Sequence, residues 1–248
     1  MALLLASLAG CNAIYGLDET HLRAQTDAPQ GLCPAGTTLQ RQSIPASADA
    51  TLIDDGNPQN HGDVPEVFMH DDAPSQYGLW KFEVAAGLDA AVDATLVLPY
   101  IVRELDCGGS DGTVCAPCDA DEGDGTLTAY PLTSQWDEHT HNWDCRTGAP
   151  NCTAASPRSG MLWDVPGAGG SDRGPEVARV DHVAASDTEI PLGPSLPTLR
   201  SWVQGGVLSI IVVPSRGARV WVPAISMDPL HLECRPPAVA FISVAYCV

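Results

Sequence analysis

Three tryptophans, Trp136, Trp143 and Trp163, lie close together in the chain and flank segments rich in Asp and Glu. An indole offers a flat apolar face, a sugar offers a flat C–H face, and sugar hydroxyls pair with carboxylates and amides. With Glu138 two residues beyond Trp136, these side chains form the candidate carbohydrate-binding set. Against this stands the ordinary fate of a large aromatic in a β protein, which is to fill the core.

Two acidic sets hold the oxygens that calcium needs. Asp119, Asp121 and Asp124 alternate along Asp119-Ala120-Asp121-Glu122-Gly123-Asp124-Gly125, while Asp49, Asp54, Asp55 and Asn60 make a second group. Calcium takes about six to eight oxygen ligands on a bent loop. The first stretch misses the EF-hand spacing, and a solvated acidic loop explains either set equally well. Calcium is the one candidate cofactor.

Other motifs carry less chemistry. Glu138-His139-Thr140-His141 places two imidazoles on one side of an extended segment. A zinc site needs further ligands, and His61, His70, His182 and His231 are scattered, so surface histidines are expected. Cys115-Ala116-Pro117-Cys118 lacks the second cysteine pair of a structural zinc site. Gly108-Gly109-Ser110-Asp111-Gly112 matches G-x-S-x-G, but between Cys107 and Cys115 it lacks the strand and helix of a nucleophile elbow. No paired acid and base and no phosphate loop stand out. The expectation is a non-catalytic protein.

The start of the chain points to a compartment. Leu3-Leu4-Leu5 and Leu8 make an apolar run ending in Ala9-Gly10-Cys11, small residues before a cysteine. This is the pattern of a bacterial lipoprotein site, though the run is short and lacks a basic start. Residues 1–10 are read as signal peptide, with Cys11 as the lipidated residue. Residues 11–32, polar and carrying Asp18, Glu19 and Asp27, are read as a tether. Asn12 closes the run far short of the ~20 residues a spanning helix needs. Bacterial cell envelope is the expected location, at the outer membrane or cell surface, with membrane contact through the lipid alone.

Composition agrees. The formal charge is −19, from Lys+Arg 12 against Asp+Glu 31. That balance excludes a nucleic-acid partner. The chain has nine cysteines. Setting Cys11 aside leaves an even set: Cys33, Cys107, Cys115, Cys118, Cys145, Cys152, Cys234 and Cys247. In an exported protein these read as disulfides. The spacing suggests Cys145 with Cys152, Cys234 with Cys247, and Cys33 with one of Cys107, Cys115 and Cys118.

Elements that could position these groups are mostly strands. Tyr77 to Val84 alternates, with Trp80, Phe82 and Val84 on one face and Lys81 and Glu83 on the other. Val92 to Val102, Arg219 to Val222 and Ala238 to Tyr246 are further strands. Val207 to Val213 is almost wholly apolar and β-branched, which predicts a central strand. Trp80 and Trp221 fall inside strand patterns and are expected in the core. Leu196, Leu199, Trp202 and Val203 recur at helical spacing before Gly205-Gly206, predicting one short helix with a glycine stop. The fold class is all-β: a single β-sandwich over residues 33–248, with one short helix and disulfide-stapled loops.

These motifs also come in a recognisable order. Ala48-Asp49-Ala50-Thr51-Leu52-Ile53, Asn60-His61-Gly62, Leu79-Trp80-Lys81-Phe82, Trp136-Asp137-Glu138 and then Trp143 resemble the DNRLRE family. Trp163 with Pro166, Gly167 and Gly170, Leu199 to Trp202, and Arg235-Pro236 extend the resemblance from about Ser47 to Tyr246. Members are carbohydrate-binding-module-like β-sandwiches of secreted and surface proteins, related to disaggregatase repeats. The resemblance implies a jelly-roll sandwich that binds extracellular or matrix polysaccharide without catalysis. Of the residues behind the family name, this chain supplies Asp49, Asn60, Leu79 and Glu138. Tyr77 and Lys81 replace the two arginines, so the bidentate fork is lost. His141-Asn142 stands where the family has Val-Thr. The alternative expectation is a structural or adhesive surface protein that binds a protein partner and has no sugar site.

Overall fold

Alternating apolar residues set the strands, and their antiparallel ladders bend into one nearly closed, barrel-like sheet. The computed structural model describes residues 32–57, 59–62, 66–84, 87–99, 124–148, 152–156, 160–183, 187–223 and 239–248. Cys11, Cys107, Cys115, Cys118, Asp119, Asp121 and Cys234 lie outside them.

The described strands are β1 (Leu39–Ile53), β2 (Glu66–His70), β3 (Gln76–Glu83), β4 (Asp93–Leu98), β5 (Gly125–Pro131) and β6 (Cys145–Thr147). They continue with β7 (Met161–Leu162), β8 (Ala178–His182), β9 (Thr188–Pro191), β10 (Val207–Ser215), β11 (Arg219–Pro223) and β12 (Phe241–Cys247). The single α-helix among the described residues is α1 (Leu196–Trp202). The main sheet runs β8-β5-β10-β3-β1-β12-β4-β9. The β2–β11 pair joins it at His70 opposite Gln76, and β6–β7 stands apart. As expected, β10 is central, between β5 and β3.

The long β1 makes the bend. Its first part, Leu39 to Pro45, pairs with β12, and its second, Ala46 to Ile53, pairs with β3. The register slips between Ala46 and Ala48, where an irregularity sharpens twist and re-aims the strand. The two end strands, β8 and β9, then come into contact.

Trp80 and Phe82 of β3, Leu96 and Leu98 of β4, Ile210 and Val212 of β10, and Ile242 and Val244 of β12 fill the main core. Each such side chain contributes about 1.5–3 kcal/mol by leaving water. Leu196 and Leu199 bury one face of α1 against the same core. Arg200 anchors the helix by donating to the carbonyls of Leu88 and Ala91. The helix stops at an extended Val203. Gly205 and Gly206, at φ 61° and 82°, form the tight turn into β10, a conformation L side chains rarely adopt.

A second core lies on the other face of β1, β3 and β10. Ala50, Leu52, Leu79 and Ile211 meet Leu132, Trp136, Trp163 and Ala168 there. These last four belong to the excursion between β5 and β8, which therefore covers that sheet face.

The cysteine pairing differs from expectation in two places. Cys145 and Cys152 close a short loop as expected. Cys33, however, bonds Cys247, with Cα atoms 5.4 Å apart. Cys247 is thus not paired with Cys234, nor Cys33 with Cys107, Cys115 or Cys118. The cause is strand pairing: Leu39 lies opposite Cys247, and Thr38 and Val248 exchange backbone hydrogen bonds of 2.7 and 2.9 Å. Trp221 is a further correction. It sits on the outward face of β11, half-buried, stacked on Phe68 at 4.0 Å.

A candidate binding cleft and the clamp beside it

Lys81, the chain's one lysine, points from β3 to the covered face of the sheet. Its ammonium donates to the Trp136 carbonyl and sits 4.3 Å above the centre of the Trp136 ring. Burial holds its pKa below the ordinary lysine value, against the pull of Asp137 and Glu138. Directly across the ladder on β10 is Ser209. It is 9% exposed, and its hydroxyl makes no hydrogen bond among the described residues.

Lys81 and Ser209 border a cleft of about 310 Å³. One wall is Leu132 to Trp136; the other comes from Trp202, Gln204, Gly205 and Val207. The volume is at the small end of ligand sites, about 300–1,000 Å³. The lining mixes indole and aliphatic surface with an ammonium, hydroxyls and amides. Such a surface suits a ligand with apolar faces and many oxygens.

Behind one wall is a polar clamp. Glu138 accepts from the Asp49 backbone N–H at 3.3 Å. Asn60 donates through Nδ2 to the Glu138 carbonyl at 2.7 Å and the His141 carbonyl at 3.0 Å. The same nitrogen lies 2.9 Å from His141 Nδ1, and Asn60 Oδ1 accepts from the Gly62 N–H at 3.0 Å. His141 Nδ1 also lies 3.0 and 3.1 Å from the carbonyls of Asp137 and Glu138. Carbonyls only accept, and both Asn60 NH₂ protons are spent on carbonyls, so Nδ1–H is the donor. Burial pushes the His141 pKa down to about 4. Gly62 packs so closely that a Cβ there would lie 1.8 Å from the Glu138 carbonyl oxygen. Asp49, Asn60, Lys81 and Glu138, far apart in sequence, thus converge to hold one loop on the sheet.

Of the three candidate tryptophans, two take the alternative fate of filling the core. Trp136 and Trp163 are each 3% exposed and belong to the second core. Trp163 donates its indole N–H to the Asn142 carbonyl at 3.0 Å. Trp143 is half-buried, tilted against Tyr77 at 5.1 Å and packed on Gly167. The β5–β8 excursion turns these rings inward because the sheet face beneath them is apolar. Trp136 keeps a place in the cleft wall.

The second acidic set is also dispersed. Asp49 is buried in β1, Asp54 and Asp55 are exposed in the following bend, and Asn60 is committed to the clamp. Asp55 accepts from the Asn57 backbone at 2.8 Å. Asp124 is exposed beside β5. Among the described residues, no three His, Cys, Asp or Glu side chains could hold a metal ion together. The expected surface histidines divide: His139 is exposed, whereas His141 is fully buried.

Several residues of this region carry no sequence signal. Ser209, Gln204 and Trp202 are ordinary residues at the ends of apolar runs, and only the fold brings them together. Arg173 is another. Its guanidinium lies over the rings of Tyr77 and Tyr130 at 5.7 and 5.0 Å and donates to the Gly167 carbonyl at 2.9 Å.

No protein-family model matches the chain, and no curated protein matches it.

Proposed function

We propose that this protein is a non-catalytic, carbohydrate-binding β-sandwich of jelly-roll type, tethered to the bacterial cell envelope through Cys11. Its ligand is extracellular or matrix polysaccharide, taken in the cleft over Lys81 and Ser209. The observation that carries this reading is the cleft's amphipathic lining, with an ammonium and an unbonded hydroxyl side by side next to aromatic walls. Recognition runs through hydrogen bonds from Lys81, Ser209 and Gln135, with Trp136 and Trp202 as apolar wall. Stacking on a three-tryptophan platform has no part in it. The DNRLRE resemblance gains support from the convergence of Asp49, Asn60, Lys81 and Glu138 on one clamp. The two disulfides fit an oxidising compartment.

A glycan array with the full chain tests the reading. Binding to at least one polysaccharide, reduced tenfold or more in Lys81→Gln and Ser209→Val and unchanged by EDTA, is expected. Absence of binding to every neutral and anionic glycan overturns it. Loss with EDTA would instead restore a calcium-dependent site.

A second reading, adhesion to a protein partner, draws on one observation. Met161, Leu162 and Val165 are 56%, 38% and 49% exposed on β7 and the loop after it. Glycan silence together with partner capture lost in Met161→Ser would favour it.

A further inference from the structure

On the saccharide-binding reading above, we infer that the cleft receives the end of a sugar chain, one or two units deep, and not an internal stretch.

Three observations lead there. The first is size. About 310 Å³ is near the minimum for a bound small molecule, and far less than an extended groove for many sugar units. The second is a bridge between the walls. Gln204, on the turn between α1 and β10, donates through Nε2 to the carbonyl of Thr133, after β5, at 3.0 Å. Both residues line the cleft. A chain running through would have to break that bond and leave the Thr133 carbonyl without its partner.

The third is the floor. The backbone N–H of Leu132 donates to the Ser209 carbonyl at 2.9 Å, so one wall is tied directly to β10 under the cleft. With floor and walls joined in this way, the ligand's way in is from the open side. The terminal unit then meets Lys81 and Ser209 at the bottom, and later units extend towards solvent past the exposed Gln135.

The test is calorimetric titration of the full chain with glucose, mannose and galacturonic acid oligomers of one, two, four and six units. In a series that binds, the two-, four- and six-unit oligomers are expected to agree in affinity within about twofold. Gln204→Ala, an exposed position, removes the bridge. It is expected to make affinity rise fivefold or more from two units to six. An affinity that already climbs fivefold with length in the unaltered protein overturns chain-end recognition while leaving saccharide binding in place. Silence in all three series and on the glycan array overturns both.

Discussion

Acid should weaken this fold through one buried imidazole. His141 is fully buried, and its Nδ1–H donates to the carbonyls of Asp137 and Glu138 at 3.0 and 3.1 Å. Its folded pKa is about 4, against 6.5 for an ordinary histidine. The unfolded chain therefore binds the proton that the folded chain refuses, and stability falls as pH drops from 6.5 towards 4. Each pH unit in that window costs about 1.4 kcal/mol, so going from pH 7.5 to pH 4.5 removes roughly 2.5 kcal/mol. The assay is urea unfolding at both pH values for the unaltered protein and for His141→Gln, with the difference of differences isolating the imidazole. An NMR titration of His141 in the unaltered protein gives a second readout that does not depend on the variant's folding. Parallel loss of stability in the two proteins, or an imidazole that titrates near 6.5 in the folded state, would refute the reasoning.

Three further outcomes are expected. Gly62→Ala should cost about 2–3 kcal/mol in urea unfolding, because its methyl would collide with the Glu138 carbonyl oxygen at 1.8 Å. Arg216→Asn should stabilise by about 0.5–1 kcal/mol. Arg216 and Gly217 both have positive φ, 60° and 80°, in the turn between β10 and β11, and Asn-Gly suits that geometry better; a fall in thermal midpoint would contradict this. Replacing Cys33 and Cys247 by Ser should cost about 2–5 kcal/mol, since the bridge closes a loop with a sequence separation of 214. An unchanged unfolding midpoint would show that the backbone bonds of Thr38 and Val248 suffice.

Legibility in the sequence followed periodicity. β3, β10 and α1 were readable because local alternation or helical spacing is strong there, and Trp80 and Leu199 fell in the core as expected. Cys145 and Cys152 were readable as a pair because seven residues separate them. The Cys33–Cys247 bond was not readable, because it depends on the first and last strands lying side by side. Nor was the burial of Trp136 and Trp163. Beneath them, Leu79 and Ile211 belong to strands whose two faces are both covered, and a loop far away in sequence supplies the cover. The same tertiary effect turned His141 from an expected surface residue into a buried donor to backbone carbonyls.

The polar residues that stood out in the sequence therefore divide by role. Asp49, Asn60 and Glu138 looked like ligand-binding groups, yet the Asn60 side chain donates to the backbone of one loop and the Glu138 carboxylate accepts from the Asp49 backbone N–H. A buried polar group needs such partners, and once they are present little capacity remains for a ligand. Lys81 differs: one ammonium proton goes to the Trp136 carbonyl, and the others have no hydrogen-bond partner among the described residues, beside a cleft. Spare donor capacity next to open space, more than residue type, separates the groups that can bind from those that hold the fold. By that criterion the clamp and the cleft are one device, because the Trp136–His141 loop that the clamp fixes is the loop that places Trp136 and its carbonyl against Lys81.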